Sequence, residues 1–148
     1  ENGSNSGAAH VFRRNESGHW VPQAKLLAQG GTDGDALGRS VAVEGDLIVL
    51  GAAGRDDNGS ESGSAYLFDW NGIQLTKLTA SDGAVEDLFG SAVAISGESV
   101  VVGASGDDDA GSRSGSGLWK RTIAWSGSLR LSSTSFLNDP LADQRVDL

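Results

Sequence analysis

Apolar residues along this chain come in short bursts separated by turn-forming residues. Val41-Ala42-Val43 and Leu47-Ile48-Val49-Leu50 form one such pair, and 65–70, 74–80, 89–95 and 99–103 continue the pattern. Between the bursts stand Asn71-Gly72, the strongest short signal for a hairpin, and the tight Ser96-Gly97-Glu98 turn. No stretch holds the i, i+3, i+4, i+7 spacing of an amphipathic helix. The pattern therefore predicts short strands joined by turns and argues against a helical bundle.

The bursts recur in order. Gly38-Arg39-Ser40-Val41-Ala42-Val43 aligns with Gly90-Ser91-Ala92-Val93-Ala94-Ile95, 52 positions later, and Leu47 to Ala52 aligns with Ser99 to Ala104 in the same frame. The match runs on through Gly54/Gly106, Asp56/Asp108, Asp57/Asp109 and Gly63/Gly115, and backwards to Lys25-Leu26 against Lys77-Leu78. A second match sets Gly3 to Phe12 on Gly59 to Phe68, 56 positions later. The extra residues fall between Phe12 and Lys25, where Arg13-Arg14-Asn15-Glu16-Ser17-Gly18-His19-Trp20 replaces the shorter Asp69-Trp70-Asn71-Gly72, and a hairpin tip tolerates such insertions. A fixed period of this size marks repeat architectures, propellers among them.

The repeat divides the chain into a first unit at 1–58, a second at 59–110, and a truncated or degenerate third with a tail at 111–148. Each full unit is expected to form one four-stranded antiparallel blade. In the second, residues 89–95 and 99–103 carry small and β-branched residues at successive positions, which predicts strands buried on both faces. Residues 65–70 and 74–80 are expected to be half exposed. The third unit departs after Gly117, where Leu118-Trp119-Lys120-Arg121 stands in the place of the aromatic strand. Residues 118–148 read equally as a divergent end, a frame-shifted stretch or a disordered terminus.

Composition narrows the function classes. Twenty-two glycines and an apolar share of 38% leave little material for a self-contained core in 148 residues. A formal charge of −9 repels phosphate backbones and anionic lipid, which argues against nucleic-acid or membrane-surface binding. Cysteine is absent, so neither a disulfide framework nor a thiol site exists. No apolar run reaches the roughly 18 residues of a membrane span. A start at Glu1 without Met is expected of a processed or excised segment.

The residues Leu88-Phe89-Gly90-Ser91-Ala92-Val93-Ala94-Ile95, followed by Val102-Gly103-Ala104-Ser105-Gly106, resemble the Phe-Gly and Gly-Ala-Pro signatures of FG-GAP repeats, with Leu37-Gly38 and Gly51-Ala52-Ala53-Gly54 in the same frame. Lys77-Leu78-Thr79-Ala80-Ser81-Asp82-Gly83 is similar to the bacterial subtype. The resemblance covers residues 2 to about 119 and implies an all-β fold, a partial β-propeller of about two and a half four-stranded antiparallel blades similar to those of integrin α subunits. It implies a secreted or cell-surface scaffold that binds a protein or glycan ligand, and no catalysis. The Pro of the signature is Ala53 in one copy and Ser105 in the other. The integrin-type calcium loop between the inner strands is also missing, since only Glu44-Gly45-Asp46 or Ser96-Gly97-Glu98 joins them.

Calcium takes six to eight oxygen ligands, and the acidic turns Asp56, Asp57, Asn58 and Asp107, Asp108, Asp109 are the candidate metal residues, with Asp82, Glu86 and Asp87 as supporting groups. Solvated turns between blades are the alternative reading of the same residues. No catalytic residue is assigned: His10 aligns with Tyr66, His19 lies in a hairpin tip, and no Gly-x-Ser-x-Gly elbow is present. Trp20 and Trp70 read as hairpin packing rather than as ligand stackers. A blade cannot bury its two faces alone, and rings usually close with about four to eight blades. Hence the chain is expected either to belong to a longer propeller or to complete itself by self-association. A structural propeller segment beside a catalytic domain, and a degenerate product without function, are the competing interpretations.

Overall fold

The computed structural model describes residues 3–108 and the backbone strand at 116–121. Nine strands and no helix are found among them: β1 (Ala9–Arg14), β2 (Trp20–Leu26), β3 (Ser40–Glu44), β4 (Leu47–Ala52), β5 (Ser64–Asp69), β6 (Gln74–Leu78), β7 (Phe89–Ser96), β8 (Ser99–Ala104) and β9 (Ser116–Arg121). They make three antiparallel sheets: two-stranded β1-β2, four-stranded β3-β4-β5-β6 and three-stranded β7-β8-β9. The architecture is that of a partial propeller, with successive sheets stacked face on face.

Strands formed where the pattern placed them, but the sheets cut the chain in another phase. The one four-stranded sheet takes β3 and β4 from the unit at 1–58 and β5 and β6 from the unit at 59–110. The reason lies in the two connections. Between β4 and β5 the acidic turn folds back on itself, Gly63 N–H donating to Arg55 O at 2.7 Å, so β5 returns antiparallel beside β4 with Val49 opposite Leu67 and Leu50 opposite Tyr66. The link from Thr79 to Leu88 instead crosses to the next sheet. Most of the third unit, 111–148, lies outside the described residues.

Burial follows this phase and corrects the expectation about inner strands. The middle strands β4 and β5 are buried on both faces, against the expectation of a half-exposed 65–70. By contrast β7, expected to be doubly buried, leaves Ala92 and Ala94 exposed, and its counterpart β3 is a sheet edge with Val41 and Val43 exposed. Alternation along β4 and β5 serves two cores at once, because successive side chains point to opposite faces. Ile48, Leu50, Ala52, Tyr66 and Phe68 pack with Val11 and Leu26 of the first sheet. Val49, Ala65 and Leu67 pack with Phe89, Val100, Val102 and Ala104 of the third.

Backbone contacts repeat with the same period. Leu37 N–H donates to Ser6 O at 3.0 Å, and Phe89 N–H to Ser62 O at 3.0 Å. Where the second and third sheets come closest, Gly51 faces Gly90, whose φ is +95°. A Cβ on Gly51 would overlap the Gly90 carbonyl and the Ser40 hydroxyl, which itself donates to Gly90 O at 2.7 Å. The glycine signature thus permits backbone-to-backbone packing of neighbouring sheets.

Candidate functional site

The first acidic turn closes around its own polar atoms. Asp56 Oδ1 accepts from Glu61 N–H at 2.8 Å, and Asn58 N–H donates to Ser62 Oγ at 3.0 Å while its Nδ2 reaches Ala80 O at 3.3 Å. Asp57 points the other way. Its carboxylate accepts from Ser64 Oγ at 2.6 Å and from Arg55 Nε at 3.2 Å, and pairs with Lys77 Nζ. Partial burial pushes the Asp57 carboxyl up, but hydrogen bonds from Lys77, Ser64 and Arg55 outweigh it and hold the group below the usual carboxylate range.

Arg55 extends this network into the preceding link. Its Nη1 donates to Asp35 Oδ2 at 2.9 Å, to Gly30 O at 2.8 Å and to Thr32 Oγ1 at 3.2 Å. Asp35 is only 1% exposed and also accepts from Thr32 N–H at 2.7 Å and Thr32 Oγ1 at 2.9 Å. One guanidinium therefore bridges two carboxylates and a carbonyl, a use to which its planar fork of donors is suited. Desolvation lowers the Arg55 pKa, and the bonds to Asp35 and Asp57 more than reverse that. Beside it, burial pushes the Tyr66 phenol up to about 12, with Arg55 lowering it and Asp57 raising it in lesser degree. The Tyr66 hydroxyl is buried without a hydrogen-bond partner.

In the second copy the alignment puts Asp107 where Arg55 stands. The backbone frame is kept: Gly106 N–H donates to Asp87 O at 3.0 Å as Gly54 N–H donates to Asp35 O at 3.3 Å. Asp87 accepts from Ala84 N–H at 2.6 Å, and both Asp87 and Asp107 are buried. Of the remaining candidates, Asp108, Asp82 and Glu86 are exposed, and Asp109 lies outside the described residues. Among the described residues, no group of three His, Asp or Glu side chains converges as a metal cage.

The sequence singled out Asp57 but gave no hint that Arg55, Asp35 and Lys77 would be its company. The available signal was the mismatch of Arg55 with Asp107 inside an otherwise ordered alignment. Of the tryptophans, Trp70 does pack at its hairpin, against the first core, and donates from Nε1 to Gly45 O at 2.7 Å. Trp20 is instead 69% exposed. His10 and His19 are both exposed.

A second feature is an apolar groove of about 390 Å³ beside β1. Val11, Phe12, Val41, Val43, Ile48 and Trp70 are among the residues that line it. No helix among the described residues is long and apolar enough to cross a membrane.

Comparison with known proteins gives one family. A model described as FG-GAP repeat matches residues 20–68 and again 73–117, which is more than half of the chain. No curated protein matches the chain.

Proposed function

The chain belongs to the FG-GAP repeat family, and from that premise we propose that it is a non-enzymatic binding or adhesion scaffold working outside the cell or at its surface. FG-GAP repeats are typical of extracellular and cell-surface proteins and are generally non-catalytic, which supports both parts of the reading. The observation that carries it is how the side chains are spent. Both faces of the middle strands β4 and β5 are consumed by packing against neighbouring sheets, which leaves turns and edges to meet a partner. Loops on a rigid scaffold are where binding residues concentrate.

The test is direct. The labelled chain is applied to arrays of extracellular proteins and glycans, and to intact cells with a membrane-impermeant reagent reporting surface exposure of the parent protein. Saturable binding to one protein or glycan class, with surface labelling, supports the reading. Turnover of ester, peptide or glycoside substrates by the chain, or confinement of the parent protein to the cell interior, overturns it.

Calcium forms a second proposal, favoured by the exchange of Arg55 for Asp107. Asp107 stands in the aligned place of Arg55 and is buried, as Asp87 is, and the divalent cation proposed at this turn has Asp107, Asp108 and Asp109 among its ligands. Thermal melting during a calcium titration tests this. A midpoint that rises with calcium and ceases to do so in Asp107→Asn supports it; a flat midpoint in the unaltered chain ends it.

A further inference from the structure

We propose that Asn15, at the tip of the β1–β2 hairpin, is the acceptor of an N-linked glycan, an inference that rests on the extracellular reading above. Asn15-Glu16-Ser17 has the Asn-x-Ser form, with x other than proline, that a glycosyl transferase reads when it joins an oligosaccharide to an asparagine amide. So short a pattern arises easily by chance, and its surroundings decide whether it can be used.

The same pattern occurs twice more, as Asn2-Gly3-Ser4 and Asn58-Gly59-Ser60. Those two stand 56 positions apart, at one place in the repeat, and the packing of the repeat accounts for them. A Cβ on Gly59, whose φ is +131°, would come within 2.8 Å of Val85 Cγ2, and a Cβ on Gly3, whose φ is +116°, would overlap Asp33 Oδ1. Ser60 O accepts from Glu86 N–H at 2.8 Å, as Ser4 O accepts from Gly34 N–H at 2.9 Å. Glycine and serine are thus used here to hold one sheet against the next link, and Asn2 itself lies outside the described residues. Asn15-Glu16-Ser17 has no such explanation. It belongs to the longer tip of the first unit, where the second has Asp69-Trp70-Asn71-Gly72.

The two described asparagines spend opposite ends of their amides. At the first tip, Gly18 N–H donates to Asn15 O at 2.9 Å and Asn15 N–H to His19 O at 2.9 Å, and Arg14 Nε braces the turn through Gly18 O at 2.9 Å. Asn15 Oδ1 accepts from His19 N–H at 2.9 Å, and among the described residues Nδ2 donates to nothing. Asn15, Glu16 and Ser17 are all exposed. N-linked attachment replaces one of the two Nδ2 hydrogens and keeps the carbonyl oxygen, so the bond to His19 survives and the tip carries a glycan without refolding. Asn58 is committed the other way. Its Nδ2 donates to Ala80 O at 3.3 Å and lies 3.0 Å from where a Cβ on Gly83 would stand, so a sugar on that nitrogen would displace the 79–83 link.

The donor is an oligosaccharide carried on a polyisoprenyl diphosphate. Asn15 Nδ2 attacks its anomeric carbon, the new nitrogen–carbon bond forms as the bond from that carbon to the diphosphate oxygen breaks, the lipid diphosphate leaves, and one amide proton passes to a base of the transferase. No redox change occurs. The β1–β2 tip is the counterpart of the β5–β6 tip, and antiparallel strands reverse direction at every turn, so the glycan stands at the end of the sheets opposite the acidic turn between β4 and β5. That turn stays uncovered for a partner.

The test secretes the full chain, behind a cleavable signal peptide, from a eukaryotic host that supplies the lipid-linked donor. A flexible Asn-Gly-Thr reporter after Leu148 shows that the transferase has met the chain. Enzymatic release of N-linked glycans leaves aspartate where a modified asparagine stood, and peptide mapping reads each position. Asn15 is expected to be modified and Asn58 unmodified. Modification of Asn15 is expected to be lost in Ser17→Ala and retained in Ser17→Thr, with both variants melting like the unaltered chain after glycan release. An unmodified Asn15 beside a modified reporter overturns the proposal, as does modification that persists in Ser17→Ala or that favours Asn58 over Asn15. The two readings fail separately: a parent protein confined to the cell interior leaves the result in the host unchanged, and an unmodified Asn15 leaves surface labelling of the parent protein unchanged.

Discussion

Gly51 and Gly103 occupy the same position in two copies of the repeat, and among the described residues only the first has a neighbouring sheet against it. A methyl group on Gly51 would sit inside the contact distance of the Gly90 carbonyl and the Ser40 hydroxyl. The first of these is backbone, so no rotamer change relieves it, and the second and third sheets must separate. Overpacking of this kind typically costs 1–3 kcal/mol, and the rigid partner here puts Gly51→Ala at about 3 kcal/mol. At roughly 4 °C per kcal/mol for a domain of this size, the melting midpoint should fall by about 12 °C. Among the described residues, Gly103→Ala meets the Ala92 methyl at 3.6 Å and the Ala92 carbonyl and Ser91 hydroxyl at 3.9 Å, all ordinary contact distances. Alanine regains about 0.5–1 kcal/mol over glycine within a strand, so that variant should melt at or slightly above the parent. Thermal melts followed by far-UV circular dichroism in dilute solution read both. Equal losses in the two variants would mean that sheet-on-sheet packing is not what constrains these glycines, and would refute the reasoning.

Three further outcomes follow from the charge network and its surroundings. Arg55→Ala strips buried Asp35 of its cation and should cost roughly 3 kcal/mol in urea melts, since breaking a buried pair is expensive; a loss below about 1 kcal/mol would rank the pair with surface bridges. Asp57 has a depressed pKa in the folded state, so its contribution is complete above the unfolded carboxylate value of about 3.9 and is lost as pH falls through the lower folded value. Asp57→Asn should therefore flatten the acid limb of stability below about pH 4, and an unchanged limb would contradict the pairing with Lys77 and Arg55. The Tyr66 phenol is raised to about 12, so its share of stability is complete below pH 10, near its unfolded value, and disappears as pH climbs through the folded value. Tyr66→Phe should remove that alkaline loss and, by deleting a buried hydroxyl without a partner, leave the protein as stable or about 1 kcal/mol more stable at neutral pH.

How much of this was legible depended on whether the deciding contact was local. Strand positions could be read because period-two alternation and Asn71-Gly72 act within a few residues, and β5 and β6 formed on either side of that turn, pinned by Asp69 Oδ1, which accepts from Asn71 N–H at 2.9 Å and Ile73 N–H at 2.8 Å. The phase of the sheet was not legible, because a periodic sequence looks the same wherever it is cut. Only the fold-back of the acidic turn decides that β4 pairs with β5. Exposure of Val41 and Val43 was hidden for a related reason: their pattern matches that of Val93 and Ile95, and the difference lies in which neighbour each finds. For the candidate site, a run of carboxylates was visible but its partners were not. Arg55 is adjacent to Asp56, yet Asp35 and Lys77 reach Asp57 and Arg55 only through the packing of separate links and strands.

Amide hydrogen exchange, resolved by residue under native conditions, examines the four-stranded sheet most directly. Backbone amides at the centre of a packed sheet open only with large-scale unfolding, while edges exchange through local opening. The account predicts one cooperative unit spanning 47–52 and 64–69, the slowest in the molecule, with β3 faster although it too carries β-branched residues, Val41 and Val43. Protection that divides near residue 58, leaving β4 and β5 in separate units, or that is strongest in β3, would contradict it.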